Sequence, residues 1–223
     1  MAILAIDTAT PVVGAAFSDR HTNEMWSKYL PRGADAELFP AIEKLVDGRE
    51  VDLVAVSVGP GAFTGLRVGV SIALGFAVAR QIPVVAVSSL AVRAMLVGKS
   101  NTLALLDARK KRVYAQLFDA SSSPIALNEA ADISIEAALP KEPFWAVGQG
   151  AILYKDIIEA AGGRVCADAE RSPALTVARL GEIFRDRAVE PGEIALKYLR
   201  PPDAKPPKNV GVPIGNPHHD HPT

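Results

Sequence analysis

The sequence predicts an α/β protein made of two similar halves, and three observations carry that prediction. Short apolar runs that read as buried strands alternate with stretches of helical period. A strand, turn, strand pattern at the start of the chain recurs just after residue 101. A glycine-rich turn at residues 59–61 separates one such strand from a long, almost wholly apolar helix. With 223 residues, 49% hydrophobic and 22% charged, the chain has material for one large core or two smaller ones.

Each element follows from its local pattern. Residues 2–6 form an apolar run, residues 8–11 (TATP) read as a turn, and residues 12–17 (VVGAAF) return as an antiparallel strand. Between Asp35 and Val46 the residues Leu38, Ala41, Ile42, Leu45 and Val46 keep helical spacing. Gly48 is the stop signal, and Pro40 blurs the start. Residues 52–58 and 83–87 read as buried strands on either side of the apolar helix. The second half repeats the opening: a strand at 102–107, the turn Arg109-Lys110-Lys111-Arg112, and a returning strand at 113–119. A strand at 144–147 leads through Gly148 and Gly150 into a helix expected over 151–161, stopped by Gly162 and Gly163. Ser172 and Pro173 are expected to start a last long helix. The two halves fall at 1–100 and 101–198. Residues 199–223 are expected to form a flexible tail, because seven of the 17 prolines and three of the four histidines lie beyond residue 200.

Composition narrows the function. A net charge of −1 and a pI near 6.4 give no global attraction to nucleic acid or to an anionic membrane, so any RNA contact must be local. The single Cys166 excludes an internal disulfide and reads as a small buried residue. Asp7 interrupts the first apolar run too early for a signal peptide. The longest apolar segment, between Arg67 and Arg80, falls short of the roughly 20 residues of a membrane span. A cytoplasmic protein without membrane contact is the expectation.

The stretch at 59–69 (GPGAFTGLRVG) looks at first like a phosphate loop. A Walker A loop needs Lys and a hydroxyl residue after its last glycine, and here Leu66 and Arg67 follow Gly65. A dinucleotide fingerprint fails as well, since Gly61 and Gly65 stand four apart and Pro60 removes an amide. A weak anion site at the helix start is the residual possibility. The helix itself says more. Gly65, Gly69, Ala73 and Ala77 form a ridge of small residues that would let another helix approach closely. A helix apolar nearly all round must be covered on more than one side, and periodicity leaves open whether the second cover is this chain or a partner.

Four segments together resemble the TsaB family, also called YeaZ. They are residues 3–10 (ILAIDTAT), residues 59–69, Asp107-Ala108-Arg109 with Val113-Tyr114, and residues 198–205 (YLRPPDAK). The resemblance implies an actin-like ATPase fold of two ribonuclease-H-like subdomains, related to the catalytic subunit TsaD but without its active site. It further implies an accessory subunit for threonylcarbamoyladenosine synthesis on tRNA, with no cofactor of its own. The first helix and the helix after Gly61 would pack on the equivalent pair of TsaD. Implied contacts are Leu38, Ile42 and Leu45 on one helix and Gly65, Arg67, Gly69, Ala73 and Ala77 on the other. TsaE, a P-loop ATPase, would join them, ATP would be handled by the partner subunits, and the chain alone could form a homodimer. On this reading Gly69→Leu would break partner binding. The chain departs from the pattern at Ala34, where many relatives have His, and in the basic run after Asp107.

Asp7, Gly59 and Gly61 would be the remnant of a nucleotide or anion site, and the alternative is a working ATPase or kinase built around Asp7. Against that, the second phosphate turn is cationic rather than glycine-rich, and Asp7 is expected to cap its own hairpin. A metallopeptidase would need clustered ligands, yet outside the tail the chain has only His21 and no HExxH pattern, so no metal is expected. The run Arg109, Lys110, Lys111, Arg112 is a candidate tRNA contact.

Overall fold

The computed structural model describes residues 1–166 and 173–200. The first half supplies β1 (Ile3–Asp7), β2 (Val12–Ser18), β3 (Asn23–Tyr29), α1 (Ala34–Val46), β4 (Leu53–Ser57), α2 (Phe63–Arg80) and β5 (Val84–Val87). These strands form one sheet in the order β3-β2-β1-β4-β5, with β1 antiparallel to β2 and parallel to β4. The first half ends with α3 (Ser89–Val97), and the second half supplies β6 (Thr102–Asp107), β7 (Val113–Asp119), β8 (Ile125–Ala126), β9 (Ala131–Ile133) and α4 (Ile135–Ala138). It continues with β10 (Phe144–Val147), α5 (Gln149–Leu153), α6 (Lys155–Ala160), β11 (Gly163–Val165) and α7 (Ala174–Ile183). Its sheet runs β11-β10-β6-β7-β8, with β9 also on β7. Read from the other edge, this is the first sheet's order again, a hairpin beside a parallel pair, so the duplication seen in the sequence is a duplication of topology.

Three apolar layers build the core, and one of them joins the halves. Leu4, Ile6, Phe17, Val54 and Val56 on the outer face of the first sheet pack under α1 and α2. Leu103, Leu105, Phe144 and Ile158 form the corresponding layer of the second sheet. The central layer joins Ile3, Ala5 and Val87 of the first sheet to Ala104, Leu106 and Phe118 of the second through α3 and α7. The two helices are exchanged: α3, which precedes residue 100, lies on β6 and β10, and α7, which follows it, lies on β1, β2 and β4. Neither half closes its core without a helix from the other.

Several elements differ from the sequence reading. Strand β3 reads as polar because it is a sheet edge whose residues are exposed except the half-buried Trp26. Helix α3 gives no amphipathic signal because residues 89–95 are all buried; Ser88 caps it, accepting from Ala91 N–H at 3.4 Å. The helix expected at 151–161 is two short ones separated by Tyr154 at φ −114°. Pro40 lies inside α1, on its exposed side, so its missing N–H frees a carbonyl that water can reach. Pro173 caps α7 rather than opening its first turn, while Ser172 and the histidines of the tail lie outside the described residues. By length and composition, at a mean hydropathy of 1.3, the 18-residue α2 is apolar enough to cross a membrane, contrary to expectation, yet its inner row is buried in the chain's own core.

Candidate functional site

Both hairpins point their turns into the cleft between the halves, and the chain's own side chains occupy the deepest part of it. Asp7, at the end of β1, is fully buried and does not cap its hairpin. Arg93 of α3 reaches it instead, donating from Nη1 to Oδ1 at 3.0 Å and from Nη2 to Oδ2 at 2.8 Å. Arg93 is itself only 3% exposed and also donates to the carbonyl of Ser89 at 3.3 Å. A buried carboxylate must be neutralised, and this bidentate guanidinium does so completely. The signal was present in the sequence: a lone cation within the apolar run 89–97 needs a buried carboxylate partner.

The glycine-rich turn is clasped by the chain in the same way. A Cβ at Gly61 would overlap the carbonyl of Ala9, one at Gly59 the carbonyl of Lys197, and Ala62 N–H donates to the Ala9 carbonyl at 2.8 Å. The small-residue ridge continues this contact. A Cβ at Gly65 would meet the Thr8 carbonyl and one at Gly69 the Thr8 side chain, while Ala73 and Ala77 are fully buried. The close approach that the ridge permits is therefore to Thr8, the residue that follows β1 in this chain, and the expectation that it faces a partner is corrected. Leu38, Ile42 and Leu45 lie in the same inner layer, 0%, 1% and 8% exposed, because the apolar stripe of an amphipathic helix faces its own sheet first.

Of the expected interface residues only Arg67 is exposed, and its guanidinium lies 3.9 Å over the Phe63 ring. The outer faces of α1 and α2 carry other residues. Phe39 is 50% exposed and Val78 63%, and Ser71, Gly75 and Ala79 are exposed beside them. Between the helices a shallow groove is lined by Phe39, Glu43, Gly75, Phe76 and Ala79. Among the described residues nothing lies within 4 Å of a Cβ built at Gly75, and its φ is ordinary. No described residue asks for glycine there, although glycine in a helix interior costs about 1 kcal/mol relative to alanine.

The basic run forms the β6–β7 turn at the cleft mouth, and its four cations are not equivalent. Arg112 Nε donates to Asp132 Oδ1 at 2.7 Å, and Arg200 Nε donates to Oδ2 of the same carboxylate at 2.7 Å. Arg200 also donates to the Ala108 carbonyl at 3.0 Å, which fixes the base of the turn. Arg109, Lys110 and Lys111 stand outward with φ of 63°, 53° and 60°. A left-handed conformation costs a residue with a Cβ roughly 1–2 kcal/mol, so three in succession is an expensive turn. Arg200 belongs to an ordered strap, part of which the composition assigns to the tail. Lys197 N–H donates to Val58 at 2.8 Å, Tyr198 stacks on Phe63 at 5.1 Å between ring centroids, and Arg200 reaches the second half.

Two ribonuclease-H-like sheets of matching topology, joined by exchanged helices across a cleft, define the actin-like ATPase fold. Comparison with known proteins narrows the class. The family model for TsaD, tRNA N6-adenosine threonylcarbamoyltransferase, matches residues 40–179. An uncharacterized protein of Mycobacterium tuberculosis is 34% identical over 216 residues, 92% of this chain and 94% of that protein. The Escherichia coli tRNA threonylcarbamoyladenosine biosynthesis protein TsaB is 32% identical over 123 residues, 51% of this chain and 53% of its own length. YeaZ from Pseudomonas aeruginosa superposes with a TM-score of 0.74 at 25% identity, covering 89% of this chain and 99% of that one. The chain belongs to the TsaB/YeaZ family.

Proposed function

We propose that the chain is a non-catalytic subunit of a complex that forms threonylcarbamoyladenosine on tRNA, and that the outer faces of α1 and α2 seat the catalytic subunit TsaD. TsaE then joins the pair, and ATP is handled by the partners. The observation that carries this reading is the combination on those faces of exposed Phe39 and Val78 with a mid-helix glycine that the chain itself does not need. A glycine at an open position allows a helix of another molecule to approach at backbone distance. The Asp7–Arg93 pair supports the absence of catalysis. The carboxylate that could orient a metal-bound water is already neutralised by a buried guanidinium, which leaves it no charge to offer a metal ion.

The test is threonylcarbamoyl incorporation into tRNA by TsaD, TsaE and the adenylate-forming enzyme, with and without this chain. Dependence on the chain is expected, and equal incorporation without it refutes the reading. Gly75→Arg is expected to weaken the complex with TsaD roughly 10- to 100-fold by overpacking a close crossing. Its Tm should not fall, since arginine is the better helix former. Calorimetric titration of the folded variant measures this, and wild-type affinity would move the interface to another face.

A further inference from the structure

We infer that the β6–β7 turn, with the aromatic cavity beside it, is a contact surface for a single-stranded segment of the tRNA. This rests on the reading above for the identity of the RNA.

The turn holds long cationic side chains at positions where its backbone favours residues without one. A hairpin turn that holds three residues at positive φ is most stable with glycine or asparagine. Here those places hold Arg109, Lys110 and Lys111. Strain of this kind persists where the surroundings over-determine it, and the surroundings do so: Asp132 holds both Arg112 and Arg200, and Arg200 holds the Ala108 carbonyl. Arg112 and Arg200 are thus anchors rather than contacts. Asp107 accepts the Arg109 N–H at 2.8 Å and lies 3.4 Å from its guanidinium, which remains 77% exposed. Among the described residues around the turn, Arg109, Lys111, Arg112 and Arg200 face the carboxylates of Asp107 and Asp132, a local positive excess on a chain whose net charge is −1.

The cavity next to the turn adds the second element of single-strand recognition. It has a volume of about 570 Å³ and is lined by Tyr29, Phe63, Tyr198, Arg109 and Arg200 among others. Cations that track phosphates beside aromatic faces that accept unpaired bases are the combination by which single strands are held. A folded double helix would present its phosphates to the turn but could not enter the cavity.

The test uses the full chain assembled with TsaD and TsaE and a fluorescently labelled, unmodified tRNA transcript, titrated at several salt concentrations. Arg109→Gly/Lys111→Gly removes two cations and relaxes two strained residues at once. Its Tm is expected to rise by about 2–4 °C. The slope of log affinity against log salt should become shallower by about 1.4, the loss of two single-strand phosphate contacts. Arg20→Ala/Arg185→Ala, which removes two exposed arginines near the opposite end of β1, should leave the slope unchanged. A glycine variant with wild-type affinity and slope overturns the inference, as does a control variant that loses as much. If the wild-type chain binds RNA in this way but fails to support modification, the RNA contact stands and the complex-subunit reading falls; if modification depends on the chain and the glycine variant binds normally, the reverse holds.

Discussion

Replacing Arg93 with Ala is expected to destabilise the protein by about 3–5 kcal/mol, because it strands the Asp7 carboxylate in a site with no access to water. The carboxylate is fully buried and takes its two guanidinium bonds from this side chain. At a Tm shift of about 2–4 °C per kcal/mol for a chain of this size, the midpoint should fall by roughly 6–20 °C. Chemical unfolding with urea checks the free energy directly. Replacing both partners, as in Asp7→Leu/Arg93→Met, removes the charges together and should recover most of the loss, because an apolar pair of similar volume carries no desolvation cost. A single variant as stable as the wild type would mean that the ion pair contributes nothing net, and that its loss is met by rearrangement around α3. If the double variant still supports tRNA modification, Asp7 has no catalytic part in it.

Gly69→Leu should be nearly as damaging to the fold, by about 3 kcal/mol or more, since even a Cβ there would overlap the side chain of Thr8. The loss appears in the isolated chain, with no partner present, and this separates it from an interface defect. Gly75→Leu makes the complementary case. The same side chain on the opposite face of the same helix meets open space, so the isolated chain should unfold at or above the wild-type midpoint while its association fails. Thermal melts of the two variants, each measured alone, decide the matter. Equal midpoints would show that the ridge of small residues does not bear on the first sheet.

The contrast between these glycines shows what periodicity can carry. The recurrence at Gly65, Gly69, Ala73 and Ala77 reveals a close approach, and the structure contains one. It does not say to what. A helix that is apolar on most of its surface has no polar stripe to mark the outside, so the face that meets its own sheet and the face that meets another molecule look alike in sequence. Periodicity therefore marks the tighter ridge, which is the inner one, and does not mark Gly75, whose neighbours Ser71 and Val78 give no repeating pattern. Leu38, Ile42 and Leu45 went the same way, because the residues that make α1 recognisable as a helix are those it buries.

The sequence by itself determined the elements whose burial is one-sided or complete over a short run, namely the two opening hairpins, the parallel strands β4, β5 and β10, and the helices α1 and α2. It also determined the duplication and the family, since local period, turn chemistry and motif spacing are properties of neighbouring residues. Only the tertiary structure decided which charges meet and which faces remain outside. Asp7 and Arg93 are 86 positions apart and Arg200 lies 92 from Ala108, so those contacts depend on how α3 and the C-terminal strap cross between the halves. The exchange of α3 and α7 is likewise invisible locally, because a buried helix carries no mark of which sheet covers it. Contacts distant along the chain are fixed by packing, and packing is a property of all the elements together.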